Sequence, residues 1–376
     1  MFFTRDKSFY KTLVTLAIPI ALQNAVTFAV GLADNVMIGT LGDSAISGVY
    51  VGSQLQTLLQ MFIGGIGGAI LILAAQYWGK RDTKSIRRIA AIGVRFALLI
   101  GLVITVTAFL LPSQIVSLFT SDASVIESGT VYVRVVSLSY IFFCISQVMV
   151  ATMRAVETAK IGLYVSFVTL IVNVICNYIL IFGKFGMPEM GIKGAAVASV
   201  MAEAASLAFF LIYTYAKVDF KKFGLNHWQK IDFSLLGKIL SISCFTMIQY
   251  FLAMATWFVF FIAIERLGQR ELAIANIVRS IYIVMLIPVQ ALSTTTNSLV
   301  SNLIGAGGIT HVMRLIWRIA RMSFLIMVVC VAVVVLFPHA MLSVYTNEPA
   351  LLVESVPSLY VIAGAMIIAS VANIYF

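Results

Sequence analysis

The sequence predicts an all-α polytopic membrane protein built from two parallel six-helix repeats, the second of them incomplete. Three observations carry that prediction: apolar blocks long enough to cross a bilayer, basic residues confined to alternate connections, and self-similarity at one fixed separation, that of Leu41 from Leu267. Hydrophobic residues make up 61% of the chain and charged residues 11%, whereas a water-soluble domain covers itself with roughly 25% charged residues. The apolar blocks match the ~20 residues that a helix needs to cross a hydrocarbon core about 30 Å thick. They lack the alternation of barrel strands, and inside lipid only closed backbone hydrogen bonding survives, so the blocks are expected to be helices.

The blocks give about ten candidate spans: residues 12–38, 46–77, 89–111, 130–152, 161–182, 191–216, 235–264, 272–304, 314–337 and 352–376. The first block runs past Asn35 without a small-residue cleavage site and reads as a retained helix. Basic residues cluster at the amino terminus (Arg5, Lys7, Lys11) and in every second connection: Lys80 to Arg88, Arg154 with Lys160, Lys217 to Lys238, and Arg314 with Arg318. The intervening connections hold only Lys184 and Lys193 in one and Arg266 and Arg270 in another. Basic clusters stay on the cytoplasmic side, so the expectation is a multi-pass protein of the plasma (inner) membrane with a cytoplasmic amino terminus.

The repeat fixes the organisation. In one ungapped register, Gln23 pairs with Gln249, Leu41-Gly42 with Leu267-Gly268, Gly79 with Gly305, Arg88 with Arg314, Arg95 with Arg321 and Pro112 with Pro338. The phrase Ser117-Leu-Phe-Thr120 returns as Ser343-Val-Tyr-Thr346. Six spans separate equivalent points; six is even, so the copies run parallel, about an axis along the membrane normal. The organisation expected is a first lobe at 1–216 (spans one to six), a cytoplasmic linker at 217–234 and a second lobe at 235–376 (spans seven to ten). Phe376 corresponds to Val150, and the first copy continues for two more spans. The second copy is therefore short by two helices, or those helices come from elsewhere.

Several functions find no support in the residues. The net charge of +10 is spread over short inter-span clusters and forms no patch of groove size for a nucleic acid. Cys144, Cys176, Cys244 and Cys330 all lie in apolar blocks and read as small core residues. His227, His311 and His339 have no metal-ligand spacing. The run Gly64-Gly-Ile-Gly-Gly68 lacks a following Lys-Ser/Thr and lies in an apolar helix, which suits close helix packing and not a phosphate loop. No cofactor and no enzyme activity are expected. Pro19 and Pro288 are expected to bend spans one and eight.

Ionisable groups inside spans are costly, so the few present single themselves out. Asp34, late in span one, suits reversible binding of H⁺ or Na⁺; the alternative is a wetted interfacial acid. Asn173 and Asn177, spaced i, i+4 in span five, share a helix face and offer two amide oxygens to a cation or a carboxyl, or else act as interhelical glue. Glu203, in mid-span six one turn after Ser199, suits a cationic substrate or a proton relay, or else a packing role. Gln23, Glu203, Gln249 and Arg279 are the candidate lining of a substrate cavity. Arg keeps its charge, so Arg134 and Arg279 are expected to pair with acids.

Five motifs then resemble the multidrug and toxic compound extrusion (MATE) family: Leu32-Ala-Asp-Asn-Val-Met-Ile-Gly-Thr-Leu-Gly42, Ala75-Gln-Tyr-Trp-Gly-Lys80, Arg154-Ala-Val-Glu-Thr-Ala-Lys160, the stretch from Asn173 to Ala196, and span eight from Ala275 to Ala306. The resemblance implies twelve helices in two lobes, a central cavity, and export of organic cations against inward Na⁺ or H⁺. It also implies a cation-coupling site at Asp34, Asn173, Asn177 and Ser199, with Na⁺ as its only metal. Stretches around Ala253 and Ala369-Ser370, where some members carry acids, are uncharged here, which centres coupling on Asp34. The expected partners are small organic cations and membrane lipid, with the protein a monomer. Two rival readings are a lipid-linked oligosaccharide flippase of related fold, which needs a basic cavity, and a non-transporting fragment or assembly partner.

Overall fold

The computed structural model describes residues 7–217, 232–345 and 348–375, so the expected linker at 217–234 lies almost wholly outside the described residues. All regular structure among them is helical: α1 (Lys7–Gly39), α2 (Asp43–Gly79), α3 (Thr83–Leu110), α4 (Pro112–Ser117), α5 (Ala123–Val136), α6 (Ser139–Ala155), α7 (Lys160–Ile181), α8 (Gly191–Lys217), α9 (Phe233–Glu265), α10 (Gln269–Gly305), α11 (Val312–Leu336), α12 (Pro338–Leu342) and α13 (Pro349–Tyr375), with a 3₁₀ turn at Ile309–His311. Nine of these helices are long and apolar enough to cross a membrane, ten when the bent pair α5–α6 counts as one span. Large apolar side chains stay exposed along them, as lipid-facing surfaces require; no residue in the most apolar stretch of α9 is buried.

The repeat extends to helix ends. In the register that sets Leu41 on Leu267, α9 falls on the bounds of α1, α10 on those of α2, the end of α11 on the end of α3, and the start of α13 on the start of α5. The same punctuation produces the match. Gly42 (φ 98°) and Gly268 (φ 146°) start α2 and α10 from the left-handed region that favours glycine. Pro112 and Pro338 each open a short helix, where a missing N–H costs nothing.

Span four differs in its bounds from the 130–152 span expected from the sequence. It begins at Ala123 and breaks after Val136, with α5 and α6 inclined by 54°. The break rests on a tertiary hydrogen bond: the Thr105 hydroxyl donates to the Ser137 carbonyl at 2.8 Å, while the Ser137 and Ser139 hydroxyls donate to the carbonyls of Arg134 and Val136. Backbone groups released from the ladder are thus satisfied inside the membrane, the condition for a kink there. By contrast, Pro19, Pro288 and Pro357 lie inside helices that continue past them.

Two compact units emerge: a continuous one, Val26–Met247, and a composite one, Met1–Ala25 with Ile248–Phe376. In the continuous unit α2 packs on α3, α5 and α6, and α8 packs on α5, α6 and α7. Small residues bring these helices close, since lipid gives no hydrophobic drive for association. A Cβ on Gly48 would lie 2.7 Å from the Ser128 Cβ and 2.8 Å from the Gly129 nitrogen. A Cβ on Gly65 would crowd Met247 of α9, and the glycine run of α2 thus serves packing. Asp82 caps α3 through the Ser85 amide and hydroxyl; those two bonds, the hydroxyl's first, hold its carboxyl below the usual range. Asp232 caps α9 and pairs with Arg88 at 3.1 Å.

In the composite unit α10, α11 and α13 pack together around Val278, Ile281, Met285, Met327, Leu359 and Met366. One helical stripe sets the units apart. Tyr132, Val136, Ser139, Phe143 and Ser146 of α5–α6 are buried in the continuous unit, where α8 packs on these helices. Their counterparts Ser358, Ile362, Ala365, Ala369 and Ala372 of α13 are exposed or half-buried.

Candidate functional site

α1 carries Asp34 five residues before its last residue, Gly39, about 7.5 Å from that helix end at 1.5 Å per residue. The apolar helix α7 brings Asn173 and Asn177 to the same place, one turn apart on one face. Asn173 is 2% exposed, Asn177 fully buried and Asp34 half-buried. The Asn177 amide Nδ2 donates to Asp34 Oδ1 at 2.5 Å and to Asn173 Oδ1 at 3.2 Å. Both partners are acceptors, which fixes the orientation of the Asn177 amide. Its own oxygen, Oδ1, is left buried with no hydrogen-bond partner among the described residues. Such an orphan costs about 1–3 kcal/mol.

The arrangement is chemically specific. A carboxylate and two amide oxygens are hard donors of the kind that suit a small cation, and the Asn177 oxygen is a buried acceptor without a partner among the described residues. Protonation of Asp34 would serve the same cluster in another way, by turning a buried acceptor into a donor. Sequence reasoning thus identified Asp34, Asn173 and Asn177, and the structure brings all three together.

Ser199 is placed differently. Its hydroxyl donates to the Ala195 carbonyl at 3.1 Å and is joined to Tyr132 of α5, and it is Tyr132 that lies within electrostatic reach of Asp34. Tyr132, 7% exposed, was missed in the sequence. The one signal available was a tyrosine inside a span, whose hydroxyl needs a partner when buried.

The candidate cavity residues divide between the units. Glu203 belongs to the continuous unit, half-buried on α8. Gln23, 5% exposed, and the exposed Gln249 and Arg279 belong to the composite unit. The expected pairing of Arg134 and Arg279 with acids is not found: neither forms an ion pair among the described residues. Arg279 lies instead over the rings of Trp257 and Phe261, 5.5 Å and 5.2 Å from their centroids. The ring quadrupoles attract the guanidinium where it has no acid partner among the described residues. Cys244 is exposed, against the core role expected of all four cysteines.

The register of the repeat gives the Asp34 cluster a counterpart without charge. Phe260 stands at the position equivalent to Asp34, and Ser358 at that of Tyr132. Both line a cavity of about 620 Å³ in the composite unit, walled largely by apolar side chains such as Trp257, Val278 and Ile362, with Glu271 also in its wall.

Comparison with known proteins agrees with this frame. The chain is 26% identical over 347 residues to a probable multidrug resistance protein NorM of Thermotoga maritima, covering 91% of this chain and 73% of the relative. It is 25% identical over 363 residues to a probable NorM of Rhizobium meliloti, covering 95% and 77%. In fold it is similar to the outward-facing structure of a multidrug resistance MATE family transporter of the MOP superfamily, with TM-score 0.87 and 18% identity over 97% of this chain and 80% of the other. The MatE family model matches residues 19–179 and 244–376. The chain is thus embedded in a membrane by its spans, and it belongs to the MatE family, the one its motifs resemble.

Proposed function

We propose that the chain is a multidrug efflux transporter that exports amphipathic organic cations in exchange for Na⁺ or H⁺, across a plasma membrane in which its amino terminus is cytoplasmic. The observation that carries this reading is the carboxyl–diamide cluster: Asp34 held by Asn177, beside a buried amide oxygen with no partner. The names of the relatives support the multidrug part. A cation bound at Asp34, Asn173 and Asn177 changes the charge beside α1 and so biases one packing of that helix over another, the differential a ligand needs to shift a conformational equilibrium. Alternating exposure of a substrate cavity follows from such a bias. Gln249 and Arg279 are the polar groups proposed to meet substrate, beside aromatic faces of Trp257 and Phe261 of the kind that hold organic cations.

The test is ethidium uptake into everted vesicles under an imposed Na⁺ or H⁺ gradient, with the wild type and Asp34→Asn in parallel. Gradient-driven uptake in the wild type and its loss in the variant are expected, and the gradient that works names the ion. Uptake that survives in Asp34→Asn would refute the assignment of coupling to this cluster.

A further inference from the structure

We infer that Glu203 is a second coupling carboxyl of the continuous unit, linked to the Asp34 cluster through Tyr132 and Ser199, so that two monovalent cations are loaded per cycle. The inference rests on the antiport reading and adds to it a site and a stoichiometry.

The placement begins with α8. Ser199, Ala202, Glu203, Ser206, Phe210 and Thr214 recur at helical spacing, and Ala202, Ser206, Phe210 and Thr214 are buried. This stripe is the face that α8 applies to α5 and α6, as the Ser199–Tyr132 bond and the closeness of Glu203 to Cys144 of α6 both require. Glu203 therefore points into the unit and not into lipid. It lies 12 residues after Gly191, the start of α8, which is about 18 Å along a helix that ends about 21 Å further on. Glu203 is thus at mid-span, while Asp34 is near a helix end.

The Glu203 carboxyl makes no hydrogen bond and no ion pair among the described residues. Cys144 of α6 lies within electrostatic reach of Glu203, and Tyr132 of α5 and Tyr140 of α6 lie within reach of each other. From α7, Tyr164 meets Tyr213, far along α8 from Glu203. None of these carries a fixed charge at neutral pH, and Arg134 of α5 is exposed. A lone carboxylate at mid-span with no fixed counter-charge is costly enough to need a cation of its own. The residue as a whole is half-buried. Asn173, Asn177 and Asp34 are hydrogen-bonded together, Tyr132 lies within electrostatic reach of Asp34 and meets Ser199, and Glu203 follows Ser199 by one turn of α8. Tyr140, next to Tyr132, adds a buried hydroxyl that lacks a partner.

The experiment measures stoichiometry with the full chain in proteoliposomes, at zero membrane potential and with ethidium as the probe. A tenfold gradient of the coupling cation supports about a hundredfold ethidium gradient at two cations per cycle and about tenfold at one. The expected result is about a hundredfold for wild type and about tenfold for Glu203→Gln. A wild type that stops near tenfold, with Glu203→Gln unchanged, would overturn the inference and leave the antiport reading intact. Loss of ethidium binding by Glu203→Gln with no gradient present would make Glu203 a substrate anchor and overturn it as well. No accumulation in the wild type under either a Na⁺ or an H⁺ gradient would end the antiport reading itself. The infrared difference spectrum of wild type on cation addition covers the case of a misfolded variant. Two carboxyl changes are expected there, one of them absent in Asp34→Asn; a single change overturns the second site.

Discussion

Replacing Asn177 with alanine should leave the cation-free protein nearly as stable as before while stripping it of its response to cation. In the cation-free state the substitution removes the bond from Asn177 to the Asp34 carboxyl, a charge-assisted one of about 1.5–3 kcal/mol. It also removes the buried amide oxygen that has no partner, relieving a desolvation cost of about 1–3 kcal/mol. The two terms offset each other. In the cation-bound state that oxygen faces the cation, so there is no relief to set against the loss. The difference between the states, about 1–3 kcal/mol, is a weakening of cation binding by about 5- to 150-fold. The assay is the thermal midpoint of purified protein in NaCl against choline chloride. Where Na⁺ leaves the wild-type midpoint unmoved and pH shifts it, the same comparison is made between two pH values. A cation response in Asn177→Ala equal to that of wild type would refute the reasoning. So would a cation-free midpoint that falls as far as the cation-bound one, because the Asn177 oxygen would then carry no latent cost.

Two further outcomes test the packing. Gly48→Ala should destabilise by about 1–3 kcal/mol, the usual cost of overpacking, because its Cβ would lie 2.7 Å from the Ser128 Cβ and 2.8 Å from a backbone nitrogen, neither the end of a flexible chain. Gly364→Ala in α13, where nothing lies within 4 Å, should be neutral or stabilising in the same thermal assay. In single-cysteine versions of this chain, Ala365→Cys should react with a membrane-permeant maleimide several-fold faster than Ser139→Cys, since the repeat-equivalent positions are exposed and buried respectively. Equal rates would contradict the uncovered stripe on α13.

The frame was legible in the sequence because glycine and proline punctuate it. Gly42 and Gly268 start equivalent helices and Pro112 and Pro338 open equivalent turns, so a single ungapped register locates helix ends that hydropathy alone leaves blurred. The heart of the candidate site was legible for a different reason. An acid inside a span is expensive and rare, and two asparagines at i, i+4 must share a face. What escaped depends on partners distant in sequence. The bend between α5 and α6 rests on a hydroxyl supplied by Thr105, from the preceding span, and no local pattern at Ser137 announces it. Tyr132 joins the site only because that bend and the stripe on α8 bring it between Asp34 and Ser199. Arg279 was expected to seek an acid because charge is what a sequence displays. It lies against ring faces instead, and Trp257 and Phe261 are indistinguishable in sequence from lipid-facing aromatics.

The two units share helix bounds but not chemistry, and this difference constrains any mechanism. At equivalent positions one places Asp34 and Tyr132 and the other Phe260 and Ser358. The residues of the first pair lie within electrostatic reach of each other, with Asp34 hydrogen-bonded to Asn177, and the second pair lines a largely apolar cavity. A duplicated frame with both copies charged would have two places at which a cation could bias packing. Here Asp34 and Glu203, the two acids proposed to couple, both fall in the continuous unit, while the composite unit carries Glu271 and Glu354 near the starts of α10 and α13, Glu354 paired with Arg270. On the proposed reading a cation-dependent change begins at Asp34 and Glu203. Neutralising Asp34 and Glu203 together should then abolish cation dependence outright. Substitutions around Phe260 should alter which compounds are handled and how fast, while the ion that drives the cycle stays the same.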